Sequence, residues 1–114
     1  MPEEVKKFYA DFKKRFGEMQ KDAPKLTSGF MGLFNNVMAE GRLTVAEKEA
    51  VALGIAVAVH CKECIRLHVQ KCLDAGLSRE QILEAAGVAV VMGGGPAFTQ
   101  VPEVLAALEA LESA

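Results

Sequence analysis

Apolar residues recur at intervals of three and four along nearly the whole chain, which predicts helices throughout and no strands. Val5, Phe8, Tyr9, Phe12, Phe16 and Met19 form one stripe, with Glu3 and Glu4 at the N-terminal end and Lys13, Lys14 and Arg15 further along. Pro24 separates this helix from a second, where Phe30, Leu33, Phe34, Val37 and Met38 repeat the spacing and Gly41 is expected to supply the stop. Thr44 and Glu47 make a capping box that opens a third helix. Its body is almost all apolar. Ala46, Ala50, Gly54 and Ala58 lie four apart, a strip of small side chains that lets another backbone come close, so this helix is expected to be central and buried. From Cys61 to Ala75 the pattern becomes amphipathic. Cys64, Ile65, His68, Cys72 and Leu73 are expected inward, Lys62, Arg66, Gln70, Lys71 and Asp74 outward, and Gly76 at the C′ position. Ser78 and Gln81 box the start of a fifth helix, with Leu77 and Ile82 spaced as a hydrophobic staple. That helix should end or kink at Gly93-Gly94-Gly95-Pro96. A last one, bent near Pro102, presents Val104, Leu105, Leu108 and Leu111. The fold class is all-α, with about six helices.

The boundary between the third and fourth helices carries no Gly or Pro. A continuous helix from 44 to 75 would be about 48 Å long, whereas a domain of this size has a radius of gyration near ~13 Å. The chain must therefore break, and the change of pattern places the break around His60, with Cys61 and Cys64 at or near a new helix N-terminus.

Length and composition narrow the function classes. The 114 residues make one domain, 1–114, and the 51% hydrophobic content suffices for a core. A formal charge of −2, no Trp and a single Tyr argue against a nucleic-acid or anionic-membrane surface. The longest apolar run, Ala50 to Val59, is half of the roughly 20 residues a bilayer span needs. Met-Pro-Glu-Glu lacks the basic and apolar start of a signal peptide, so a cytoplasmic location is expected. Three cysteines within twelve residues, Cys61, Cys64 and Cys72, do not form a secreted disulfide framework. They point to redox chemistry or metal. Val88 to Met92, the apolar second half of the fifth helix, suggests contact with another subunit.

On a helix, positions 61, 64 and 68 share a face. His68 is one turn from Cys64, where its imidazole can take and return the thiol proton. A helix N-terminus favours thiolate at Cys61 and Cys64. Were both cysteines helical, their Cβ atoms would stand about 5–6 Å apart, beyond the roughly 3.5–4.5 Å of a relaxed disulfide. The bridge is therefore expected to be strained and to cycle readily. Zinc is the competing reading. Cys61, Cys64, His68 and Cys72 are all acceptable ligands, but Cys61 to Cys72 spans about 16 Å of helical rise, so one ion could use at most three, or be completed by another subunit. Cys72 alone reads as a buried packing residue. Glu49 shares a face with Val45, Ala52, Leu53 and Ala56, and a carboxylate there is either a solvated first-turn charge or a buried functional acid that needs a partner. His60 reads as a junction residue. Gly93 to Gly95 makes a helix–helix turn, not a phosphate loop, because no strand precedes it and no Lys-Ser/Thr follows.

Glu49, eleven residues, Cys61-x-x-Cys64, three residues and His68 resemble the Glu-x11-Cys-x-x-Cys-x3-His signature of AhpD-like proteins in the carboxymuconolactone decarboxylase family. The resemblance runs from about Gly41 through Leu111 and includes Leu43-Thr44, Gly76-Leu77-Ser78 and the Gly-Gly-Gly-Pro stretch of the small single-domain branch. It implies an all-α fold with the motif on a helical hairpin, assembled into homotrimers or homohexamers. It also implies a thiol-dependent peroxidase that acts on organic hydroperoxides and is recharged by a dithiol protein. Cys64 would attack the peroxide, Cys61 would resolve the sulfenic acid, and Glu49 and His68 would relay protons, with no metal or cofactor. One position departs from the pattern. Glu63 stands where those proteins carry a histidine, and its charge would oppose thiolate formation if it faced the sulfur; a solvent-facing Glu63 is expected. Two other readings are a decarboxylase of lactone acids, which would need a cation for the substrate carboxylate, and a non-enzymatic redox-sensing oligomer.

Overall fold

The computed structural model describes residues 2–112. Six helices of 12 to 21 residues are present: α1 (Pro2–Asp22), α2 (Pro24–Met38), α3 (Val45–Ala58), α4 (Lys62–Asp74), α5 (Arg79–Gly93) and α7 (Val101–Glu112), with the four-residue α6 (Gly95–Phe98) before the last. No strand occurs among the described residues, and no helix is long and apolar enough to cross a membrane. The all-α reading holds.

Helix α3 is the hub. It packs along α5 on one side and α4 on the other, α4 packs on α7, and α7 on α1. Leu53 and Val57 of α3, Ile65 and Val69 of α4, Ile82 of α5 and Leu108 of α7 are fully buried where these helices meet. Val69 belongs to this core although it is absent from the inward set expected for α4. The centrality of α3 is as expected, but its burial is one-sided: Val51, Ile55 and Val59 stay more than half exposed. The α1 stripe is likewise only partly used, with Val5 buried while Phe12 and Met19 face solvent.

Local chemistry sets the helix ends. Both capping boxes are formed: Thr44 and Glu47 exchange backbone-to-side-chain bonds of 2.8 and 3.0 Å, and Ser78 and Gln81 bonds of 2.8 and 3.1 Å. Gly76 takes the left-handed conformation after α4, with Leu77 N–H donating to the Cys72 carbonyl and Gly76 N–H to that of Leu73, a Schellman closure. Gly41 does not stop α2. The helix ends at Met38, and Lys48 reaches across from α3 to donate 2.7 Å bonds to the Val37 and Ala39 carbonyls, satisfying groups a glycine cap would otherwise serve. Pro102 does not bend the last helix; it lies in the first turn of α7, where its missing N–H costs nothing.

Candidate redox site

The break between α3 and α4 builds the site. Val59 caps α3, and His60 follows at φ 61°, the left-handed position usually taken by glycine. His60 N–H donates to the Val57 carbonyl and Cys61 N–H to that of Ala56, the same Schellman pattern that closes α4. His60 is exposed and serves as the junction. The reversal lays α3 and α4 side by side, so the motif sits on a helical hairpin.

Cys61 is the N-cap of α4, outside the helix at φ −94° and ψ 95°, and its sulfur accepts the Cys64 N–H at 3.2 Å. Cys61 and Cys64 are joined as a disulfide with a Cα separation of 5.2 Å, inside the usual span of such bridges. Cys61 stands at the cap, outside the helix, and Cys64 within its first turn. The sulfurs lie at the positive end of α4, where a cap N–H and the helix dipole favour negative charge on sulfur. Glu63 is exposed in the first turn of α4, and His60 is also exposed.

One turn further along α4, His68 Nδ1 lies 2.7 Å from Glu49 Oε1 of α3, with the two side chains only 16% and 5% exposed. Glu49 is therefore a buried acid with a partner, and Glu47 is the capping acid. In the tautomer that donates Nδ1–H to the Glu49 carboxylate, Nε2 of His68 is the ring's acceptor. The Phe34 ring of α2 stands 6.2 Å from the imidazole, and the Lys71 ammonium lies 5.2 Å over the same Phe34 ring. Cys72, the next step on the same stripe, is fully buried, and burial together with the nearby Glu49 charge pushes its thiol up to about 12. Among the described residues, no three His, Cys, Asp or Glu side chains gather where they could hold a metal ion.

Arg66 is the main surprise. The pattern places it outward, but it is 6% exposed. Its Nη2 donates to Glu4 of α1 at 3.0 Å and to Glu103 of α7 at 3.1 Å, its guanidinium lies 5.2 Å over the Phe8 ring, and its backbone carbonyl accepts the Tyr9 hydroxyl. The Arg66 hydrogen bond holds the Glu4 carboxyl below its ordinary range. The stem lies along the apolar flank of α4 and the charge is met by carboxylates from two other helices. The available signal was position: Arg66 lies beside Ile65 and three residues before Val69. Phe34 fits the α2 stripe, and nothing local in the sequence marks it as a neighbour of His68.

Residues 24–112 match the model of the carboxymuconolactone decarboxylase family. The chain belongs to this family. A solved carboxymuconolactone decarboxylase family protein from Legionella pneumophila is 35% identical and superposes with a TM-score of 0.82, covering 98% of this chain and 95% of that one. A family member from Thermotoga maritima is 28% identical at a TM-score of 0.81, covering 92% and 90%. Among curated relatives, "Uncharacterized protein 4 in cox locus" of Paracoccus denitrificans is 32% identical over 98 residues, 86% of this chain and 88% of its own. The fold and the Cys-x-x-Cys pair thus agree with an AhpD-like member of the carboxymuconolactone decarboxylase family.

Proposed function

We propose that the protein is a thiol-dependent peroxidase that reduces organic hydroperoxides. The observation that carries this reading is a bridged Cys61–Cys64 pair at a helix N-terminus with a buried Glu49–His68 pair one turn away. In the reduced protein, Cys64 gives its proton to His68 Nε2 and the thiolate attacks the terminal peroxide oxygen. The O–O bond breaks, Cys64 becomes a sulfenic acid, and the alkoxide leaves as the alcohol with the proton from His68. The Cys61 thiol then attacks the Cys64 sulfur. The disulfide forms and hydroxide departs with the Cys61 proton as water. A dithiol partner protein reduces the bridge and is itself oxidised to a disulfide. Glu49 holds the imidazole and offsets its positive charge between the two proton transfers.

The lyase reading requires a cation facing the substrate carboxylate. Arg66 is held by two carboxylates of its own chain, and Lys48 by two carbonyls. The Thermotoga maritima protein carries a suggested involvement in antioxidative response, which points the same way as the thiol pair. We further place the protein in the cytoplasm and as a closed homo-oligomer.

Intact mass tests the cycle. Reduced protein treated with cumene hydroperoxide should lose two hydrogens. Cys61→Ser should retain one added oxygen, and Cys64→Ser should gain none. An unchanged wild-type mass with all thiols still titratable removes the peroxidase reading.

A further inference from the structure

We propose that Phe34 and Lys71 select the substrate of the redox site, and that the hydroperoxide it takes carries a carboxylate within about 10 Å of its peroxide group, as a hydroperoxy fatty acid does. This rests on the peroxidase reading and adds a substrate class to it.

Lys71 is placed unlike any other lysine of the chain. The described lysines are exposed except Lys48 and Lys71, which are half-buried. Lys48 donates to the Val37 and Ala39 carbonyls at 2.7 Å. Lys71 has no oxygen acceptor among the described residues; its ammonium stands 5.2 Å over the Phe34 ring. A half-buried cation without an acceptor is costly to hold, and an aromatic face offsets only part of that cost. A carboxylate supplied from outside completes it.

The same ring faces the chemistry. Phe34 is half-buried 6.2 Å from the His68 imidazole, so one side chain of α2 is shared by the imidazole and the ammonium. Cys64, His68 and Lys71 follow one another on α4 at spacings of four and three, which puts them on one stripe. Seven residues amount to about 10 Å of helical rise. Side chains lean toward the helix N-terminus, which draws the Lys71 ammonium back toward His68. The site thus presents a thiol, an imidazole, an apolar ring and a cation. A hydroperoxide laid along the stripe with its terminal oxygen at Cys64 Sγ puts its carbon chain on Phe34 and its carboxylate at Lys71. A wholly apolar hydroperoxide leaves the ammonium unmatched, and hydrogen peroxide at Cys64 reaches neither residue.

Phe34 and Lys71 change no bond. The hydroperoxy acid takes two electrons and two protons from the thiols of Cys61 and Cys64. It leaves as the hydroxy acid and water, and the cysteines are left as the disulfide. Lys71 keeps its proton throughout.

The test follows the loss of free thiols in the reduced protein, which a lyase would not produce. The oxidants are linoleic acid 9-hydroperoxide, its methyl ester and hydrogen peroxide, with both lipids below their micelle-forming concentrations. In the wild type the acid should react about 10-fold faster than the ester, the effect of one hydrogen bond to a charged group. Lys71→Met keeps a stem on the ring and should bring that ratio close to one. Lys71→Arg should preserve it, and Lys71→Glu should reverse it, which an unfolded chain would not do. Phe34→Ala should slow both lipids roughly 10-fold relative to hydrogen peroxide. Equal rates for acid and ester in the wild type, or a preference that survives Lys71→Met, overturn the proposal and leave the peroxidase reading in place. Equal slowing of hydrogen peroxide and the lipids in Phe34→Ala would show that the ring serves His68 alone, and overturns its part in selection. Thiols that survive all three oxidants remove the peroxidase reading, and this proposal with it.

Discussion

Glu49→Gln gives the sharpest test of the proposed proton relay, because it removes charge while keeping shape. The Glu49–His68 contact is short, at 2.7 Å, and both side chains are largely withdrawn from water. A hydrogen bond to a charged group contributes about 1.5–3 kcal/mol, and a neutral one about half of that. The amide that replaces the carboxylate can still accept from Nδ1–H, so the loss is the charged part alone, about 1–2 kcal/mol of support for the imidazolium that forms as Cys64 gives up its proton. At 1.36 kcal/mol per factor of ten, the bimolecular rate of disulfide formation should fall about 5- to 30-fold. His68→Gln removes the base itself and should cost roughly 10²- to 10⁴-fold. The double variant should be no slower than His68→Gln alone, because Glu49 acts only through the imidazole. Single-turnover stopped-flow of the reduced protein against an organic hydroperoxide measures all three. Glu47→Ala provides the control. It opens the capping box at a stability cost of about 0.5–1 kcal/mol, with the rate unchanged. A wild-type rate in Glu49→Gln, or a Glu49 effect that persists undiminished on the His68→Gln background, would refute the relay.

Three further outcomes are expected. The folded protein keeps the Cys72 proton up to about 12, whereas an unfolded thiol releases it from about pH 8.5 upward. Stability therefore falls by about 1.4 kcal/mol per pH unit above that value, and urea unfolding of the reduced protein should show a steeper alkaline decline than Cys72→Ala; parallel declines would contradict the burial. Arg66→Ala should lose about 2–4 kcal/mol through the packing of its stem, but Arg66→Met less than about 1.5 kcal/mol, since Glu4 and Glu103 retain solvent and a hydrophobic stem refills the site. Equal thermal losses in the two would show that the ion pairs dominate. His60→Gly should leave peroxide turnover intact and raise stability by about 0.5 kcal/mol, because glycine takes the left-handed position without the Cβ cost but loosens the unfolded chain; a large loss of turnover would give His60 a chemical role.

The periodic signals in the sequence translated well because each is a local demand. Capping boxes at Thr44 and Ser78, the C′ glycine at Gly76 and the break at His60 need only neighbours within a few residues, and all four are in place. Gly41 and Pro102 misled because their effects depend on distant or alternative partners. Lys48, ten residues past Met38, closes α2, and a separate turn at α6 lets Pro102 begin a helix where it was expected to bend one. Arg66 was illegible for the same reason. Periodicity assigns a charged residue to water unless a partner is known, and its partners come from the opposite ends of the chain.

The site combines the two kinds of information in order. A left-handed residue at His60 ends α3, which makes Cys61 a cap and not a helical residue. The pair is bridged with Cys61 at the cap and Cys64 in the helix, one turn from His68. The hairpin then brings Glu49, nineteen residues earlier in the chain, onto His68 Nδ1. The spacing of eleven residues between Glu49 and Cys61 is therefore set by geometry: it is the length of helix needed to run from the buried acid to the break and return. Inserting one alanine within residues 50–57 would rotate Glu49 by about 100° about α3 relative to the break, away from His68 and into the position Lys48 now holds beside the end of α2. Disulfide formation on exposure to peroxide should then slow at least as much as in Glu49→Gln although every motif residue remains present, and an unchanged rate would refute the geometric reading of the spacing.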